Sequence, residues 1–226
     1  MNELSELFNT ARKVFWDNPY QQSLETKIVS IENNRALFEQ TIAYSFSGGQ
    51  ESDQAYVNKL PILDSQKEGN LIYYNLPEGH GLLKEDGVTM VINWPRRYRL
   101  MRLHFAAELV LEIVTKKFQL QKVGAHIAEH KARIDFIFPE HISSLFEIIL
   151  HDYNEIIQED LPILTGFSDL ILQRRFWEIE GFAKVPCGGT HVKSTKEVGF
   201  VHLKRARSGK GIERIEITLI DENYNL

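Results

Sequence analysis

Cys187-Gly188-Gly189-Thr190-His191 contains the single cysteine of the chain and sets a histidine four residues beyond it. Thiolate and imidazole are ligands that zinc prefers, and a site needs three or four such groups. A second pair lies in Arg102-Leu103-His104-Phe105-Ala106-Ala107-Glu108, where an imidazole and a carboxylate stand four apart. On a helix that spacing puts His104 and Glu108 on one face, one turn apart, as a shared ion requires. The two pairs form one site only where the fold joins them. Taken separately, each residue has a plainer role open to it. A lone cysteine is most often a small buried apolar group, and a Cys-Gly-Gly loop can instead expose a reactive thiol. His104 can be a hydrogen-bonded core residue and Glu108 a solvated one. His126 and His130 share the same separation. They fall in a segment that reads as strand and loop, where four residues do not bring side chains together.

The elements that must position these groups are legible from periodicity. Pro95 opens a long helix, since proline fits a first helical turn. From residue 96 to about 118, Leu100, Leu103, Ala107, Leu111 and Val114 make an apolar stripe, with His104 and Glu108 at its edge. Leu109, Val110 and Ile113 widen the apolar surface, so the helix middle is expected to be buried. A buried His and Glu must then be paired or metal-bound. Before the helix, residues 24–31, 35–42, 70–76 and 88–94 read as strands, the first two joined by a turn at Glu32-Asn33-Asn34. Short strands at this spacing suggest a small barrel or sandwich. After the helix come strands at 122–128 and 131–138 and a helix from 140 to about 159. A short helix near 169–177 and a C-terminal hairpin, 199–207 with 212–220, complete the reading.

Composition sets the bounds. The chain has 226 residues, 43% of them hydrophobic, enough for a real core. A single cysteine leaves no internal disulfide, which points to a reducing, cytoplasmic setting. Met1-Asn2-Glu3-Leu4-Ser5-Glu6 lacks the layout of a signal peptide, and no apolar run is long enough to cross a bilayer, so no membrane partner is expected. The net charge of −5 argues against indiscriminate nucleic-acid binding. Basic residues nonetheless cluster at Arg96, Arg97, Arg99 and Arg102, at Arg174 and Arg175, and at Lys204, Arg205, Arg207, Lys210 and Arg214. Such clusters suit a local phosphate-binding surface, although solvated faces are the commoner use of charge. Oligomeric state is not readable from any of this.

Taken in order, these segments resemble the editing domain shared by alanyl-tRNA synthetases and the AlaX proteins, of which threonyl-tRNA synthetase carries a more distant relative. That family pairs a His-x-x-x-His helix with a later Cys-Gly-Gly-Thr-His. Asn93-Trp94-Pro95-Arg96-Arg97, Met101-Arg102-Leu103-His104, Arg133-Ile134-Asp135-Phe136, Asn154-Glu155-Ile156-Ile157 and Gly209-Lys210-Gly211-Ile212-Glu213-Arg214 also resemble family text in family order. Val14-Phe15-Trp16-Asp17 and Ser47-Gly48-Gly49-Gln50 are similar to the opening barrel and Gly-rich motif of the longer AlaX proteins. The resemblance implies an α+β fold. Residues 1–92 would form a small β-barrel, and residues 93–226 an α/β-sandwich-like editing domain with a buried central helix.

It also implies an activity: hydrolysis of the ester joining a wrong amino acid, typically serine, to alanine tRNA. An alanine site cannot strongly reject an analogue that merely adds a hydroxyl, so a second hydrolytic site must correct the error. At this length no room is left for a synthetase domain, and action in trans on mischarged tRNA(Ala) is expected. The resemblance assigns one zinc ion to His104, Cys187 and His191, and Glu108, at the position of the family's fourth group, is expected to complete the set through oxygen. Catalytic support is expected of Glu108, Gln121 and Thr190, and substrate contacts of Ser47, Gly48, Gly49, Gln50, Arg102 and Asp135. Arg174, Arg175, Lys204, Arg205 and Lys210 are the expected tRNA contacts. Two residues depart from the family pattern. Glu108 stands where a second histidine is usual; it can ligate zinc through oxygen, act as a general base beside a three-ligand site, or mark a site that has lost its metal. Phe105 replaces a small hydroxyl residue, which puts serine as the preferred substrate in question. Two further readings stay open, a tRNA-binding relative without activity and a metal-free hydrolase with Cys187 as nucleophile.

Overall fold

Apolar residues at every second position build the first half of this protein. In the computed structural model, which describes residues 11–209 and 211–220, the chain divides into two units. One comprises residues 1–47 and 52–98, the other residues 48–51 and 99–226. The first unit begins with β1 (Arg12–Lys13), α1 (Val14–Asp17) and β2 (Ser23–Glu32). It continues through β3 (Arg35–Phe38), β4 (Gln40–Thr41), β5 (Ala55–Val57), β6 (Leu60–Pro61), β7 (Asp64–Glu68), β8 (Leu71–Asn75) and β9 (Gly87–Ile92). The expected hairpin is β2–β3, and Asn33 turns it at a left-handed φ of 54°, a region that asparagine enters more readily than most residues. The short strands β5 to β7 went unread because 55–68 carries few apolar residues in alternation.

Seven strands form one antiparallel sheet in the order β6-β5-β9-β2-β3-β8-β7. Strand β2 pairs with β9 through Lys27 and with β3 from Ile28, with a register shift between Ile28 and Ser30. A bulge of this kind bends a strand and increases twist, and the sheet curls into a half-barrel. Alternation sends Val88, Met90 and Ile92 of β9 and Ile72 and Tyr74 of β8 inward against Ile28 and Phe38. The core also holds an ion pair, Arg97 with Asp53, both side chains fully buried. Arg97 donates further to the Pro19 and Ile42 carbonyls, and Asp53 accepts the Tyr44 N–H at 2.7 Å. A buried pair is tolerable only when its remaining hydrogen-bonding capacity is met.

Helix α2 (Trp94–Phe118) starts in the first unit, and the division falls between Tyr98 and Arg99. In the second unit the helix is buried on more than one face: Leu100, Leu103, Phe105, Ala106, Leu109, Val110 and Val114 are 1% exposed or less. Next come β10 (Gln121–Ile127), β11 (Ala132–Ile137), a 3₁₀ turn at Ile142–Leu145, and α3 (Phe146–Gln158). Then follow β12 (Leu164–Asp169), β13 (Arg174–Ile179), β14 (Ala183–Pro186), the short α4 (Thr195–Val198), β15 (Val201–Gly209) and β16 (Ile212–Leu219). Strands β10-β11-β16-β15 make an antiparallel sheet, and β12-β13-β14 a second one. Residues 48–51 join this unit because Gln50 bridges Ile127 of β10 in parallel.

Two expectations are corrected here. The segment near 169–177 is not a helix but the turn and strand of the β12–β13 hairpin. Arg175, Trp177 and Ile179 face inward at alternate positions, and a buried arginine disguises the period. The helix expected from 140 starts only at Phe146, after the 3₁₀ turn. Its buried residues are Ile149, Tyr153 and Ile157, while Ile148 is 45% exposed. Among the described residues no helix is long and apolar enough to cross a membrane.

Candidate active site

Helix α2 places His104 and Glu108 as their spacing requires, with Nε2 and Oε1 3.4 Å apart. The loop after β14 brings the other pair to them. Cys187 Sγ lies 3.6 Å from His104 Nε2, 3.3 Å from His191 Nε2 and 3.9 Å from Glu108 Oε1. The loop is anchored where the Cys187 N–H donates to the Arg175 carbonyl at 2.9 Å. Close approach depends on Gly189, since a Cβ there would meet His104 Cε1 at 2.0 Å and Nδ1 at 2.4 Å.

These residues fit a zinc ion. With Zn–N near 2.0–2.1 Å and Zn–S near 2.3 Å, a tetrahedron's ligand atoms stand about 3.3–3.6 Å apart. The donor atoms of His104, Cys187 and His191 all lie within 4.8 Å of one another, and Glu108 reaches two of the three. His151, Asp152 and Glu155 also group together, on the solvent side of α3, where exposed acidic groups commonly bind nothing.

The electrostatics suit a cation. Burial disfavours a charged His104, yet the neighbouring Cys187 and Glu108 outweigh it and hold the imidazole's pKa up to about 10. Burial would raise Glu108, but His104 and the Trp177 indole draw it down to about 2. Burial, with the charge on His104, keeps His191 well below its ordinary value. A divalent ion would displace the proton that His104 holds, the usual coupling of metal binding to proton release.

Beside the cluster, Gln50 is fully buried and grips Thr190 with both ends of its amide. Its Nε2 donates to Thr190 Oγ1 at 2.9 Å, and its Oε1 accepts the Thr190 N–H at 3.3 Å. Gly49 supports this from φ 91°, where a Cβ would strike the Ala125 carbonyl at 2.8 Å. Its own carbonyl accepts the Ile127 N–H at 2.8 Å. Gly48 faces open space, and the Ser47 carbonyl accepts from the Tyr44 hydroxyl.

The remaining expected residues lie in varied settings. Gln121 is exposed at the start of β10, opposite Ile137. Asp135 is buried in β11 and paired with Arg133 and Arg214. Arg102 donates to the Val198 carbonyl at 3.0 Å. Strand alternation splits Arg174, which is exposed, from Arg175, which is 6% exposed. Lys204 is exposed on β15, Arg205 is bound to Glu213, and Lys210 lies outside the described residues. Phe105 is fully buried, edge-on to Trp177 at 5.0 Å and to the His191 ring at 5.5 Å. Trp177 was missed by sequence reasoning; its indole N–H donates to Glu108 Oε2 at 2.9 Å. Nothing in its spacing signals that bond.

Residues 175–216 match the family described as the threonyl and alanyl tRNA synthetase second additional domain. An alanyl-tRNA editing protein AlaX-M of Pyrococcus horikoshii is 33% identical over 219 residues, covering 94% of this chain and all of the relative. The AlaX-M protein of Saccharolobus solfataricus is 29% identical, covering 92% of this chain and 98% of its own. An alanine--tRNA ligase of Methanococcus aeolicus is 30% identical over 91% of this chain but only 25% of the ligase.

Proposed function

This chain belongs to the AlaX-type family of alanyl-tRNA editing proteins, and from that premise we propose that it is a zinc-dependent aminoacyl-tRNA deacylase. Its substrate in this reading is mischarged tRNA(Ala), most simply the seryl ester, hydrolysed in trans in the cytoplasm. The observation that carries the proposal is the convergence of His104, Cys187, His191 and Glu108 in one cluster whose two histidines are buried, beside a threonine held by a buried glutamine.

Zinc, held by His104, Cys187 and His191 with Glu108 completing the set, would supply Lewis-acid polarisation at the ester. The protein's own residues supply position. The Gln50 amide fixes Thr190, so the hydroxyl beside the cluster is set before substrate arrives. Fixed groups of this kind lower the reorganisation needed at the moment of reaction. Burial of both histidine rings, each 4% exposed, keeps water from the inner side of the cluster. Gly48, with open space around it, suits close passage of the tRNA's 3′ end. Arg102, Gln121 and Asp135 remain proposed neighbours of the substrate, with Asp135 acting through its arginine pairs. Arg174 and Lys204 are the exposed cations best suited to phosphate. Arg205 and Arg175 would act through the strands they brace, and Lys210 stays an expectation.

The same proposal reads residues 1–92 as a β-barrel domain and 93–226 as a sandwich-like editing domain. Its support is the run of antiparallel pairings from β6 to β7 and the burial of α2 on more than one face. Hydrolysis of seryl-, glycyl- and alanyl-tRNA(Ala) by the purified protein tests the proposal. Rapid loss of the seryl or glycyl ester with the alanyl ester spared is the expected result. Binding of all three without hydrolysis would make the chain a tRNA-binding relative that lacks the chemistry.

A further inference from the structure

We propose that Trp177 is the positioning residue that turns the Glu108 carboxylate into a metal ligand, with Phe105 packing the indole in place; this rests on the zinc reading above. Among the donors, the outer ring nitrogens of His104 and His191 are buried without a hydrogen-bond partner. Packing orients those rings: Gly189 lies against one and Phe105 against the other. Glu108 is held differently. Its Oε2 accepts the Trp177 indole N–H at 2.9 Å, which leaves Oε1 facing His104 Nε2 at 3.4 Å and Cys187 Sγ at 3.9 Å.

A glutamate needs such a hold more than a histidine does. It has one more side-chain torsion to fix. One oxygen fixed by a donor limits rotation of the carboxylate and keeps the other oxygen turned toward the ion. The donor is itself immobile, since Trp177 is fully buried on β13 and meets the edge of Phe105 at 5.0 Å and 66°. The two departures from the family pattern, Phe105 and Glu108, thus meet at one indole. Partners that orient a ligand in this way are commonly worth about 10–100-fold in metal affinity.

The test is zinc affinity by chelator competition at fixed pH, with the visible absorption of the cobalt-substituted protein as a second readout. Trp177→Phe removes the N–H donor. Placing the benzothiophene analogue of tryptophan at position 177 removes it while keeping the shape, so the test survives if Trp177→Phe does not fold. Both are expected to weaken zinc binding about 10–100-fold and to alter the cobalt bands. In a Glu108→Ala background the same changes at 177 should have no further effect. Unchanged affinity and cobalt bands in the analogue, or an equal loss in the Glu108→Ala background, would overturn the role of Trp177. A wild-type chain with no zinc affinity would instead overturn the metal-site reading on which the inference rests.

Discussion

Gly189 leaves no room for a side chain. A methyl group there would overlap the His104 ring, with its Cβ 2.0 Å from Cε1, and no L-residue contact approaches that distance without displacing one partner. Gly189→Ala is therefore expected to push His104 out of the cluster, cutting zinc affinity and deacylation at least tenfold. The fold should persist because the displaced groups sit at one loop. Zinc content and thermal melting of the variant check this; full zinc binding by Gly189→Ala would contradict the packing argument. At this scale the sequence was informative where residue type alone implies chemistry. Cys187, His191, His104 and Glu108 were identified from ligand preference and helical spacing, and the structure brings them within reach of one another. The Trp177–Glu108 bond was not legible. It spans 69 positions in the chain, and a tryptophan in an alternating strand reads as core whether or not its N–H has a task.

Between elements, the C-terminal sheet is tied to the 3₁₀ turn through Glu213. Its carboxylate binds Arg205 across the β15–β16 pair at 2.5 and 2.7 Å and accepts the Ile142 N–H at 3.2 Å. The Arg205 hydrogen bond outweighs burial and holds Glu213 down to about 2. A carboxylate whose folded pKa is depressed contributes stability above its unfolded value near 4.5, and that contribution is lost as pH falls toward 2. Glu213→Gln is expected to lower stability at pH 7 by about 1–2 kcal/mol and to flatten the acid limb of the stability profile. Chemical denaturation at several pH values measures both, and an unaltered acid limb would place the stabilisation elsewhere. The hairpins β2–β3 and β15–β16 and helix α2 were readable because period and turn residues agree. The β12–β13 hairpin was not, because Arg175 occupies an inward position that a pattern of apolar residues leaves blank.

For the whole molecule, an acidic chain that acts on tRNA must bring phosphate to a few cations and not to its entire surface. Arg174 is exposed while Arg175, its neighbour in β13, is buried with its guanidinium over the Phe167 ring. Arg174→Ala is expected to weaken tRNA binding across sequences and to reduce the salt slope by about one, with folding stability unchanged. Arg175→Ala is expected to act first on stability. Binding measured over a range of salt concentrations separates the two, and an unchanged slope for Arg174→Ala would return it to an ordinary surface role. The sequence resolved this less well than the metal cluster. Clustered charge can be counted from the sequence, but which member faces solvent is decided by strand alternation.

The most direct measurement is seryl-tRNA(Ala) hydrolysis by one preparation before chelation, after chelation and after zinc is restored, with bound zinc quantified at each stage. The account predicts about one zinc per chain for a single site, with activity lost on removal and regained on return. A metal-free chain that hydrolyses the ester at the original rate would contradict it and shift the chemistry to the Cys187 thiolate.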